Sequence, residues 1–138
     1  MSELTWTERD FERMSWHDNH VHAMRIAEGE YGSGSLVLDI DHIIEWSDCK
    51  DGYEFKIIPV ELAFKEVTAL RITLDYATPT AALGPFSIAS IEREDQPKER
   101  YVAQIWKILI NWPNGEIEFE ATGYNQRGLS EPVLTKNQ

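Results

Sequence analysis

The sequence predicts a mainly β protein: a single antiparallel β-rich domain, sandwich-like or a curled sheet, of about seven or eight strands with a short N-terminal helix. Three observations carry that expectation. Apolar and polar residues alternate with a period of two through most of the chain. Clusters of Gly, Pro, Asp and Ser separate these runs at short intervals, and no strand–helix–strand alternation is present. At 138 residues, 42% hydrophobic and 27% charged, the chain can bury one core without staples, and no linker or repeat divides it, so residues 1–138 read as one domain.

The helix is placed at residues 7–14, "TERDFERM". Thr7 is the N-cap, with Asp10 three residues on as a variant of the capping box. Phe11 and Met14 share a face and dock on the body of the fold. Antiparallel strands occupy 20–124. Val21 to Ile26 alternate around His22. In "SLVLDIDHII", Leu36, Leu38 and Ile40 point one way and Val37, Asp39 and Asp41 the other. "EFKII" and "LRITLDY" are two further strands. In "IWKILINWPNGEIEFEATGY", Asn114-Gly115 is a hairpin signal, because both residues tolerate positive φ. Ile117, Phe119 and Ala121 then point in, and Glu116, Glu118 and Glu120 out. The strand Val102 to Trp112 is apolar on both faces, which predicts a central strand covered on both sides. Residues 128–138 read as a tail.

The net charge of −11 disfavours nucleic acid and anionic membranes as partners and leaves a basic protein or a cation. No apolar run approaches the ~20 residues of a membrane helix. The acidic start "MSELTWTERDFERM" lacks the basic and apolar regions of a signal peptide, so a cytoplasmic location is expected. The single cysteine, Cys49, permits no intrachain disulfide, and the acids beside it disfavour a thiolate.

The densest chemistry lies in "SWHDNHVHA", residues 15–23. Strand parity puts His20 and His22 on one face with Asp18, and excludes His17. Such a set can begin a metal site if Asp39, Asp41 or His42 of the next strand completes it. The competing reading is structural: Trp16 buried, Asp18-Asn19 in a turn, and His22 a half-buried strand residue. Asp39 and Asp41 can serve as an acid/base pair or simply as a solvated acidic face. No Gly-x-Ser-x-Gly elbow, phosphate loop, dinucleotide fingerprint or paired Cys-x-x-Cys is present. The stretch 77–90 is uncharged within an acidic chain, so Ala81, Ala82, Leu83, Pro85 and Phe86, with Trp46 and Trp106, are candidates for a pocket or an interface, a homodimer included.

The combination "SWHDNHVHAMRI", "SLVLDIDHIIEW", "LRITLDYATPTAALGPFSI" and "INWPNGEIEFEATGYNQ" resembles a family of small bacterial proteins over residues 16 to about 132. That resemblance brings no activity, cofactor or catalytic residue with it. More loosely, a Trp-His-Asp opening, a strand, a Gly-rich turn and an "LVLDIDHIIEW" strand are similar to immunity proteins of bacterial toxin systems, which are small acidic cytosolic binders. The expected function is therefore a non-enzymatic protein-binding module without a cofactor. The alternative is a metal-binding protein or metal-dependent enzyme using His20 and His22 with Asp18.

Overall fold

The computed structural model describes residues 5–29, 33–49, 52–77 and 84–135. It is one nine-stranded antiparallel sheet, with a six-residue 3-10 helix, Glu8–Arg13, between the first and second strands. The strands are β1 (Thr5–Thr7), β2 (His20–Glu28), β3 (Gly34–Cys49), β4 (Gly52–Leu74), β5 (Phe86–Pro97), β6 (Val102–Trp112), β7 (Gly115–Glu120), β8 (Gly123–Gly128) and β9 (Val133–Thr135).

β4 organises the sheet. Along one edge this 23-residue strand pairs with β3. Along the other it takes β9 at Phe55–Ile57, β8 at Val60–Lys65 and β7 at Thr68–Leu74. β7 pairs with β6, β6 with β5, β5 with β2 and β2 with β3, so the ladder returns to β4. Of the two expected architectures, the curled sheet is the one observed, and it curls far enough to close.

The expected strands "EFKII" and "LRITLDY" are two ends of β4, joined through "PVELAFKEV". That stretch holds a proline and several charges, yet the strand continues through it, for a local reason. Pro59 lies where the edge passes from Val60↔Gly128 to Ile57↔Val133, so its missing N–H interrupts no ladder bond. Its carbonyl still accepts Leu129 N at 2.8 Å. Farther on, Glu66 and Ala69 both take φ 53, and the register with β7 shifts between Thr68 and Arg71. These left-handed residues let β4 coil from β8 onto β7.

Closure has one covered face, the inside. Leu36, Leu38, Ile40, Ile58, Val60, Leu62, Phe64, Trp106, Ile108, Ile117 and Phe119 are buried there. Phe64 sits amid rings, with centroids 4.7 Å from Phe119, 5.3 Å from Trp106 and 5.7 Å from Tyr124. Trp106 Nε1 donates to Ala121 O at 3.1 Å, which satisfies the indole in an apolar interior. This geometry corrects the expectation for β6: its inner residues Trp106, Ile108 and Ile110 are buried, but Ile105, Lys107 and Leu109 on the outer face are only half-buried.

The helix caps one end of this interior. Thr7 and Asp10 form the reciprocal capping box, with Thr7 N donating to Asp10 Oδ2 at 2.9 Å. Phe11 meets Trp106 edge-on at 5.3 Å, and the Arg93 guanidinium lies 4.8 Å from the Phe11 ring centroid. Met14 accepts Tyr124 Oη at 3.0 Å.

Two further expectations change. The hairpin at Asn114-Gly115 forms, but among the described residues the non-glycine positive-φ positions are Asp18, Glu66 and Ala69, so Asn114 is not one of them. Gly115 is required for space instead: a Cβ there would sit 2.5 Å from Thr73 O and 2.7 Å from a Leu74 methyl. The expected tail from 128 contains β9, which pairs with β4.

The strain at the β4 coil is testable. Ala69→Gly removes the left-handed penalty at an exposed position and is expected to raise unfolding free energy by about 0.5–1 kcal/mol in urea titration, after the larger unfolded-state entropy of glycine is offset.

Candidate functional site

"SWHDNHVHA" lies at the seam where the sheet closes. Among the described residues, β2 and β5 meet through His20↔Ser87 and Val21↔Phe86. The preceding turn reinforces them: Asn19 N donates to Trp16 O (3.0 Å), Asp18 N to Ile88 O (2.8 Å) and Ile88 N to Asn19 O (3.0 Å). Asp18 has φ 63, a conformation that aspartate tolerates better than most residues.

Asn19 is fully buried. Its Oδ1 accepts Ile43 N at 3.2 Å, and its Nδ2 donates to His42 Nδ1 at 2.8 Å. That contact requires His42 to be neutral, with its proton on Nε2. Burial holds the ring's pKa down to about 4. The rings of Trp6 and Trp16 stand 5.6 and 6.5 Å from it. Trp16 Nε1 in turn donates to Gln126 Oε1 at 2.8 Å. His42 is thus part of the buried polar core, and Asn19, expected only to form a turn, holds it there.

The candidate metal residues His20, His22 and Asp18 lie at the start of β2 and in the turn before it. His22 sits at a β-bulge between the pairs Val21↔Ile40 and Ala23↔Asp39, and its Nε2 donates to Asp41 Oδ2 at 2.6 Å. His20 is half-buried, and its pKa is lowered by burial and by His22, against the opposing charges of Asp41 and Asp18. Asp18 precedes β2; its Oδ1 accepts Asn111 Nδ2 at 3.0 Å, and its Oδ2 lies 3.4 Å from His17 Nε2. Among the described residues, no three or more His, Cys, Asp or Glu side chains are arranged to hold a metal ion.

Asp39 and Asp41 do face outward, but each has a cationic or histidine neighbour across the strands. Arg25 reaches Asp39 at 2.7 Å and Glu61 at 3.3 Å, and Arg127 lies 3.7 Å from Glu61. The bond from Asp39 raises the Arg25 pKa further. These exposed pairs are each worth ~0–1 kcal/mol, so they dress the surface more than they hold the fold.

Of the candidate pocket or interface residues, Trp106 and Phe86 are core residues and Pro85 is exposed. Ala81, Ala82 and Leu83 lie outside the described residues, as does the side chain of Trp46, whose backbone pairs with Phe55 in β3.

The outer face of β5, β6 and β7 has a different character. Cross-strand rows set Glu92 beside Lys107 and Glu118, Glu94 beside Ile105 and Glu120, and Leu109 beside Glu116. Ile105 and Leu109 are half-buried among these acids. Lys107 Nζ, 3.6 Å from Glu118 and 3.9 Å from Glu116, is shared between two carboxylates. Glu116, Glu118 and Glu120 were legible as outward-facing, but Glu92, Glu94 and the half-buried Ile105 and Leu109 were not, because β6 was expected to be covered on both sides.

The fold and this surface together define a closed antiparallel β-sheet protein with an acidic outer face. Comparison with family models, curated proteins and solved structures finds no match for the chain. No helix among the described residues is long and apolar enough to cross a membrane.

Two measurements probe the seam. Asn19→Ala strands Ile43 N–H and His42 Nδ1 in the interior, and is expected to cost about 2–4 kcal/mol by denaturant unfolding. His42 gives a pH signature. Its folded pKa is about 4, below the ordinary ~6.5, so its contribution is fully present above the unfolded value and is lost as pH falls from ~6.5 toward 4. Between pH 7 and pH 5 the loss is about 2 kcal/mol, and His42→Leu, although destabilised overall, is expected to lack that part of the slope.

Proposed function

We propose that the chain is a non-enzymatic protein-binding module that docks a basic partner on the outer face of β5, β6 and β7. One observation carries this reading: half-buried Ile105 and Leu109 flank Lys107 along the outer face of β6, and Glu92, Glu94, Glu116, Glu118 and Glu120 border that row on β5 and β7. Partly buried apolar side chains set among charged ones are common where a protein docks a partner transiently. The net charge of −11 extends the effect by steering a basic partner toward the molecule before contact. A second copy is a poorer occupant, since self-docking here sets carboxylates against carboxylates. An immunity-like role, with a basic toxin as the partner, is one form of this proposal.

At the seam, His22 bonds Asp41, His42 bonds Asn19 and His17 bonds the carbonyl of Ala89.

The test is affinity capture from extracts of the cells that express the protein, using wild type and the variant Glu92→Lys/Glu116→Lys/Glu118→Lys. Wild type is expected to retain a basic protein whose recovery falls with added salt. The variant, once circular dichroism shows it folded, is expected to lose that protein. Equal recovery of the same proteins by both would sink the proposal.

A further inference from the structure

We infer that the free edge of β5, from Ser90 to Gln96, accepts an extended segment of the basic partner as one more strand of the sheet, with basic and apolar side chains alternating along it. This rests on the protein-binding reading above and assigns that partner a backbone conformation and a side-chain pattern.

The sheet closes at the seam, and β5 runs on past it. From Ser87 to Pro97 one side of β5 pairs with β6. On its other side, among the described residues, β2 takes Phe86 and Ser87, the backbone of Asp18 and Asn19 takes Ile88, and the His17 ring meets Ala89 O at 3.1 Å. From Ser90 to Gln96 no described residue makes a backbone hydrogen bond on that side. Such a row of unpaired N–H and C=O groups is a template for an added strand, where main-chain bonds give affinity and alternate side chains give specificity. There is room beside it. A cavity of about 570 Å³ is lined by Ile91 to Glu94 of this edge and by Phe11 and Glu12 of the helix, and it reaches the outer face at Ile105 and Lys107.

The side chains along the edge set the pattern of the guest. Glu92 and Glu94 are exposed on the outer face, in cross-strand rows with Lys107 and Ile105. Residues of an added strand on that face lie beside these carboxylates, where Lys or Arg is favoured and an acid is not. On the opposite face the edge presents buried Ile91, with Phe11 across the cavity, so the intervening residues of the guest meet apolar surface. Arg93, the cation of that face, is already engaged. Its guanidinium lies 4.8 Å from the Phe11 ring centroid and 5.6 Å from that of Trp106, and 3.4 Å from Glu12. It therefore leaves the outward carboxylates to the guest. A second copy of this chain is the poorer occupant, because β5 laid against β5 brings Glu92, Glu94 and Asp95 of one copy close to those of the other. The acids that guard the edge against self-pairing are the ones that select a basic strand.

The probe is the peptide acetyl-Lys-Val-Lys-Val-Lys-Val-Lys-amide, titrated into the full-length ¹⁵N-labelled protein at low salt and followed by amide chemical shifts. Two controls carry the same charge, one N-methylated at every Val and the other at every Lys except the first. Saturable shifts are expected at Ser90 to Gln96, with Hα contacts between the peptide and β5. The control whose methyl groups face the edge is expected to bind at least about tenfold more weakly, since about three main-chain bonds are lost. No shifts in this segment, or equal binding by all three peptides, would overturn the inference, the second outcome reducing it to attraction by charge alone. The two proposals fail separately: partner capture that an excess of the unmethylated peptide leaves undiminished removes the strand and leaves the docking face standing. Capture unaffected by the Glu92, Glu116 and Glu118 reversals removes the face, whatever the peptide does at β5.

Discussion

Asn19 ties β3 to β5 beside the seam where, among the described residues, β2 and β5 share two residue pairs. Its amide accepts from β3 and donates to a ring on β3, while its own carbonyl takes the Ile88 amide of β5. All three bonds are buried, where an unmade polar contact costs more than a made one gains. The closed interior depends on this seam, because once β2 and β5 part, the curled sheet has two edges and Phe86, Val21 and Trp16 lose cover. The neutral state of His42 is a condition of the same arrangement, since a protonated ring could not accept from Asn19.

Closure also divides the chemistry of the molecule. Inward residues are apolar or hydrogen-bonded, and the period-two pattern sends nearly every charge outward. On the side formed by β2, β3, β4 and β8, those charges pair across strands through Arg25, Asp39, Glu61 and Arg127. On the side formed by β5, β6 and β7, Lys107 is set among a larger number of glutamates. A nearly neutralised side and an acidic one on the same barrel give the molecule a polarity that its total charge alone does not disclose.

Much of the fold was legible because a strand's alternation fixes which residues face a core. The capping box at Thr7 and Asp10, the inward set on β3 and the Ile117/Phe119 alternation were all readable locally. What was not readable is long-range. Nothing near Pro59 announces that its missing donor falls in a gap between two partner strands about 70 residues away. Nor does the apolar run of β6 reveal that one of its faces is left half-open. At the site, the eye was drawn to His20 and His22 by their spacing, whereas the structure gives weight to Asn19 and His42, separated by 23 residues and joined only after folding. A weak local signal existed: His42 shares parity with Leu38 and Ile40, which marks it as inward.

The three partners along one edge of β4 impose an order on assembly. β7, β8 and β9 come last in the chain, and β1, made first, must wait for β8 to pair Thr5 with Arg127. During synthesis, the β2–β3–β4 meander can therefore form early, with β4 exposing an unpaired edge until residues 115–135 emerge. Such high contact order places folding in the slow, millisecond-to-second regime of all-β domains. It also makes the nascent β4 edge the point at which this protein is most open to aggregation, and the interruption at Pro59, harmless in the finished sheet, guards that edge while it waits.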